Sequence, residues 1–160
     1  MADLFAVAGA HFSIGTVAMS VPTDDVDASD FASVTWVEVA DWQTMGAIGD
    51  QAAEIATDLI SRGRTAVQKG TKRSPAMTNQ FAVNSDDAGQ IAMYAASNSR
   101  LNYPFKIEFD DAPSAGTPTL KYFLGLVMSA QEQGGGANTV RMLSANVAPN
   151  TNIVTVPAAA

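Results

Sequence analysis

A chain of 160 residues, 47% hydrophobic and 16% charged, is long enough for one domain with a substantial core. Its net charge of −7 opposes condensation of the whole molecule on nucleic acid or anionic lipid. With no Cys, disulfides, zinc–thiolate sites and Cys nucleophiles drop out, and a single His nearly excludes a triad or a His-rich metal site.

The acidic start, MADLFAVAGAHFSIG, lacks the basic n-region of a signal peptide. No run reaches the roughly 18 apolar residues of a membrane-spanning segment. Residues 11–18 read as a first strand, and 33–39 (SVTWVEV) as a second, rich in β-branched and aromatic side chains. From Ala40 to about Ser74 no core periodicity is visible, so the expectation is a long irregular loop or arm that orders on a partner. Residues 74–83 return to strand, ending in Phe81 and Val83. At Asn84-Ser85-Asp86-Asp87 the period changes to helical. Ser85 is the expected cap, Asp86 and Asp87 sit at the positive end of the dipole, and the helix ends near Asn98.

The clearest alternation is 102–109, where Tyr103, Phe105, Ile107 and Phe109 share a face. A turn-rich break at 110–118 follows. Two long strands, 119–132 and 137–147, are expected around a tight hairpin at Gly134, Gly135 and Gly136, where glycine tolerates positive φ. The first is apolar on both faces, as in a central strand or one packed on a neighbouring subunit. The end, VTVPAAA, reads as a short strand and a frayed tail at 157–160.

Candidate chemistry is sparse. Gly63, Gly70, Thr71 and Lys72 miss the spacing of a phosphate loop. Asp24, Asp25, Asp27 and Asp30 resemble a calcium loop, but counting from Asp25 puts Asp30 where Gly is needed and Trp36 where Glu is needed. A solvated acidic turn fits better. His11 has no partner that the sequence identifies, Trp36 and Trp42 could form a binding platform although Trp36 reads as core, and no carboxylate pair stands out for hydrolysis.

What does stand out is charge order. Residues 1–60 carry no Lys or Arg and a net −10; residues 61–73 carry Arg62, Arg64, Lys69, Lys72 and Arg73 and no acid; the remainder is −2. The basic cluster lacks the interleaved aromatics that stack nucleic-acid bases. Docking onto the acidic surface of another copy, with Asp24, Asp25, Asp27 and Asp30 among the acids, uses both halves of the asymmetry.

The segment IATDLISRGRTAVQKGTKRSPAMTNQFAVNSDDAGQIAMYAA, with the flanking Trp-containing strand, resembles the tail tube (major tail) proteins of long-tailed bacteriophages and gene transfer agents. Downstream, Tyr103-Pro104-Phe105-Lys106-Ile107, Tyr122 to Ser129 (YFLGLVMS) and Ala137-Asn138-Thr139-Val140 match the closing strands, so the likeness spans about residues 10–150.

The resemblance implies one mainly β domain over 1–160, a sandwich or small barrel with one flanking helix. It implies no enzyme activity and no cofactor. It further implies a virion protein, assembled in the host cytoplasm, whose hexameric rings stack into a hollow tube around a tape-measure protein. Tail terminator and distal tail or baseplate proteins close its ends, and DNA passes through without specific binding. Contractile-phage, pyocin or secretion-type tubes are the nearest alternative, and a monomeric ligand-binding β-barrel is the alternative from another class. A DNA conduit should avoid phosphate contacts, since each adds affinity through counterion release. The basic segment is therefore expected at subunit or ring contacts and not in the bore. The strand pair 119–132 and 137–147, joined by 50–58 and 74–83, is the leading candidate for the bore wall.

Overall fold

Apolar side chains recurring at every second position fold most of the strands into one sheet that curls over its own buried face. The structure, a computed structural model, describes residues 4–160. In chain order the strands are β1 (His11–Gly15), β2 (Trp36–Glu38), β3 (Trp42–Thr44), β4 (Gln51–Leu59), β5 (Arg64–Arg73), β6 (Met77–Ala82), β7 (Tyr103–Glu108), β8 (Leu120–Gln133), β9 (Met142–Pro149) and β10 (Val154–Val156). The one α-helix among the described residues, α1 (Ala88–Ser97), lies between β6 and β7.

The antiparallel main sheet runs β2-β1-β7-β8-β9-β6-β3, with β10 also on β8. Phe12 on β1 and Trp42 on β3 belong to distant strands of that order, yet their rings lie 5.4 Å apart. The sheet is thus rolled into a barrel-like shell. Its interior is filled by Phe12, Phe81, Phe105, Phe123, Met77 and Leu143, all fully buried, with Met93 of α1. Each such side chain contributes about 1.5–3 kcal/mol on burial. On the outer face of β8, Leu124 and Tyr122 pack with Val26, Phe31 and Trp36 in a second, smaller core. Trp36 and Trp42 are therefore packing residues, not a binding platform.

α1 is locked to the sheet by three residues. Asp87, not Ser85, is its cap: its carboxylate accepts the Gln90 N–H (2.9 Å) and also the Ala40 N–H (3.1 Å). Ser85 and Asp86 instead lie in a turn that Asn84 closes, its Oδ1 accepting the Asp86 N–H. Gly89 lets the helix touch β2, since a Cβ there would lie 2.1 Å from the Glu38 carbonyl oxygen. Gln90, buried, accepts the Asn84 N–H at Oε1 (3.0 Å) and donates from Nε2 to the carbonyls of Ala40 (3.2 Å) and Ala82 (2.8 Å).

Three further expectations are corrected. The segment 40–74 is not irregular: it contains β3 and a two-stranded antiparallel ribbon, β4–β5, forming a sheet of its own. The β8–β9 connection is wide, β9 starting at Met142 instead of 137; the chain turns over Gly136–Thr139 (Thr139 N–H to the Gly136 carbonyl, 3.1 Å), and none of Gly134, Gly135 and Gly136 takes positive φ. The tail at 157–160 is pinned, with Ala159 exchanging backbone hydrogen bonds with Thr117 (2.7 and 3.2 Å).

The break before β8 is closed by Asp111, whose carboxylate accepts the Thr119 N–H (2.8 Å) and hydroxyl (2.6 Å). These bonds, the hydroxyl's first, hold the Asp111 carboxyl below its ordinary value. A depressed carboxyl stabilises the fold above its unfolded value, about pH 3.9, and the contribution is lost as pH falls through the folded value. Asp111→Asn is therefore expected to flatten the acid limb of stability against pH below about pH 4, as read by urea melts. An unchanged limb would remove Asp111 from the acid response.

Candidate assembly surface

The β4–β5 ribbon is the one part of the sheet structure left outside the shell. Ten residues of β5 pair with nine of β4, at up to about 3.4 Å per residue, so the ribbon extends roughly 30 Å. The two strands are held chiefly by each other. The tip is a 3-10 turn over Ile60–Arg62 ended by Gly63, whose φ of 56° is the left-handed conformation glycine adopts without strain. Ile60, at that tip, is fully exposed, and Ile55 and Val67 along the strands are about half exposed or more. A lone two-stranded ribbon is at best marginally stable in water. Its backbone edges are also open templates for pairing.

All five clustered cations lie on this ribbon and all are exposed: Arg62 in the tip, Arg64, Lys69, Lys72 and Arg73 on β5. The register separates them. Arg64 lies opposite Leu59, Lys69 opposite Glu54, Lys72 opposite Ala52 and Arg73 opposite Gln51, with a bulge between the last two pairs and the rest. Among the described residues the Lys/Arg ion pair is Arg141–Glu132 (3.5 Å), and the His11 imidazole hydrogen-bonds the Glu38 carboxylate (2.6 Å), so none of the five cations is committed there. At the ribbon's root, Lys72, Arg73 and the buried Ser74 line an open cleft of about 530 Å³ together with Asp25, Asp50 and the 149–152 loop.

The acidic turn is a short 3-10 helix, Ala28–Phe31. Asp27 caps it by accepting the Ser29 N–H, and Asp30 accepts the Asp27 N–H, both at 2.9 Å. The Ser29 hydroxyl bond, with the Ser29 N–H bond after it, holds the Asp27 carboxyl below its ordinary value. These two acids fold their own turn, whereas Asp24 and Asp25 are exposed without that task.

A second open edge accompanies the ribbon. β7 pairs β8 only as far as Gly125, while β9 follows the opposite side of β8 to Gln133. From Leu126 onward the β7 side of β8 has no strand partner among the described residues, and Met128 there is 61% exposed. Sequence reasoning found the strand but not this edge, because an offset between neighbours leaves no mark in composition.

No protein-family model and no curated protein matches the sequence. Solved structures do. A chain of the anti-feeding prophage (AFP) baseplate superposes with a TM-score of 0.67 at 10% identity, over 98% of each chain. The SPP1 tail tube superposes with 0.65 at 12% identity, over 95% of this chain and 80% of that one. This chain has the tail-tube fold. A chain from the virion of a native gene transfer agent gives 0.59 at 10% identity, covering 76% and 88%. Within the tail-tube fold, then, the ribbon, the open β8 edge and the uncommitted cations are the features that call for a partner. No helix among the described residues is long and apolar enough to cross a membrane.

Proposed function

We propose that this chain is a structural subunit that self-assembles into hexameric rings stacked as a hollow tail-type tube. The observation that carries the reading is the β4–β5 ribbon, which stands clear of its own shell on a tail-tube fold. Pairing a ribbon edge with an open edge of another copy removes two aggregation liabilities at once, and a heterologous contact that closes by rotation makes a ring. The partners on this reading are further copies, a tape-measure protein in the bore, and terminator and baseplate proteins at the ends. DNA passes through the bore unbound, and no catalysis takes place. The SPP1 tail tube, a chain of a gene transfer agent virion and a chain of the AFP baseplate share the fold that this reading starts from.

The shell interior argues against a monomeric ligand-binding barrel. Four phenylalanines, Met77, Met93 and Leu143 fill it, leaving open surface clefts instead of an enclosed cavity. Negative-stain microscopy of concentrated protein tests the proposal: rings or tubes are expected, and monomers persisting at every concentration would sink it.

A further inference from the structure

The two faces of the ribbon beyond its bulge are chemically different. Residues directly opposite in an antiparallel pair project to the same face, and neighbours along a strand to opposite faces. The unbroken register from Glu54↔Lys69 to Leu59↔Arg64 therefore sorts the side chains without ambiguity. One face carries Glu54, Asp58 and Lys69 with Ala56, Thr65 and Val67. The other carries Ile55, Leu59 and Ala66 with Thr57 and Gln68, and a single charge, Arg64.

The charged face keeps its charges in water. Lys69 stands opposite Glu54 in the register without closing an ion pair, Asp58 accepts the Thr65 hydroxyl at 2.7 Å, and Val67 there is 61% exposed among these charges. The apolar face is different. Ile55 is 49% exposed, and Gly70 beside it leaves room that any larger side chain would fill, a Cβ there falling 3.2 Å from Ile55 Cγ1. Arg64 has no carboxylate on its face of the ribbon beyond the bulge and makes no ion pair among the described residues.

The geometry points to the Ile55–Leu59–Ala66–Arg64 face as the one that docks on a second copy of this chain, leaving the Glu54–Asp58–Lys69 face in water. This rests on the self-assembly reading above. A second copy is the occupant that charge favours, because the chain is net −7 and outside the ribbon segment its charge is acidic, matching a face whose only charge is Arg64. Burying the charged face instead would dehydrate two carboxylates and an ammonium, a cost such groups repay only with excellent geometry. The basic cluster thereby divides: Arg64 is a contact residue, whereas Lys69 shares a wet face with Glu54 and Asp58, whose net negative charge has little attraction for a passing polyanion.

The chain has no Cys, so single-Cys variants report each position separately. Ala56 and Thr57 are adjacent, exposed and on opposite faces, as are Val67 and Gln68. In sedimented assemblies the thiols of Thr57→Cys and Gln68→Cys are expected to react with a small maleimide about tenfold more slowly than in dilute monomer, and those of Ala56→Cys and Val67→Cys within about twofold. Labelling before assembly should block growth for the first pair and spare it for the second. This second readout serves for any variant that fails to assemble. The opposite alternation, or equal protection of all four, overturns the docking face while leaving the self-assembly reading intact. Failure of the unmodified chain to assemble overturns both.

Discussion

Reversing Arg62, Arg64, Lys69, Lys72 and Arg73 to Glu together is expected to abolish tube growth while leaving the monomer folded. All five are exposed and none is paired among the described residues, so the shell loses no packing and no ion pair described there. What changes is the encounter between copies. Exposed ion pairs are worth about 0.2–1 kcal/mol each, and reversal replaces attraction by repulsion of similar size. Summed over the cations other than Lys69, which faces water, that is about 3 kcal/mol or more per contact, raising the concentration needed for assembly roughly a hundredfold. Sedimentation against concentration reads this directly, with circular dichroism to verify the fold. Because the Debye length shrinks to about 3 Å in 1 M salt, part of the defect should be relieved there. Wild-type growth by the charge-reversed chain would show that the cluster is merely solvated.

Much of the shell was legible because it obeys one rule. Ile107 on β7 and Met77 and Phe81 on β6 are buried where that alternation requires, as are Phe105, Phe12 and Ile14, although β1 is buried continuously from Phe12 to Gly15. The ribbon was illegible for the converse reason. Neither β4 nor β5 buries a face against the shell, so Ala53, Glu54, Ile55 and Ala56 follow one another without the core periodicity that marks a strand. Its charge cluster was visible, but its division between two faces depends on register, which sequence order does not reveal. The glycines misled in a similar way: Gly134, Gly135 and Gly136 suggested a tight reversal, while the left-handed residue of a true hairpin was Gly63. Among the acids, Asp27 and Asp30 serve a local cap, a use that pattern alone could not separate from a contact surface.

The Asp86-Asp87-Ala88-Gly89-Gln90 stretch looked like part of a family signature and is an architectural joint. Asp87 ties the helix start to Ala40, Gly89 brings the helix against the Glu38 carbonyl, and Gln90 closes the gap between the ends of β2 and β6. Gln90→Leu keeps the approximate volume but strands the Asn84 N–H and removes the amide donor to two carbonyls. Each buried polar group left unpaired costs about 1–3 kcal/mol, so a loss of about 3 kcal/mol is expected in urea denaturation. That corresponds to a fall of roughly 10 °C in Tm for a chain of this size. Gln90→Glu retains an acceptor for Asn84 and loses the donor, so its carboxylate would face two carbonyls and should be at least as damaging near neutral pH. A loss below about 1 kcal/mol for Gln90→Leu would mean that the helix is held by Met93 and Ala96 packing alone. The joint is also separable from assembly. Gln90 is a buried residue of α1 whose side chain bonds Asn84, Ala40 and Ala82 and no ribbon residue, so Gln90→Leu protein below its melting temperature should still assemble where the charge-reversed ribbon does not.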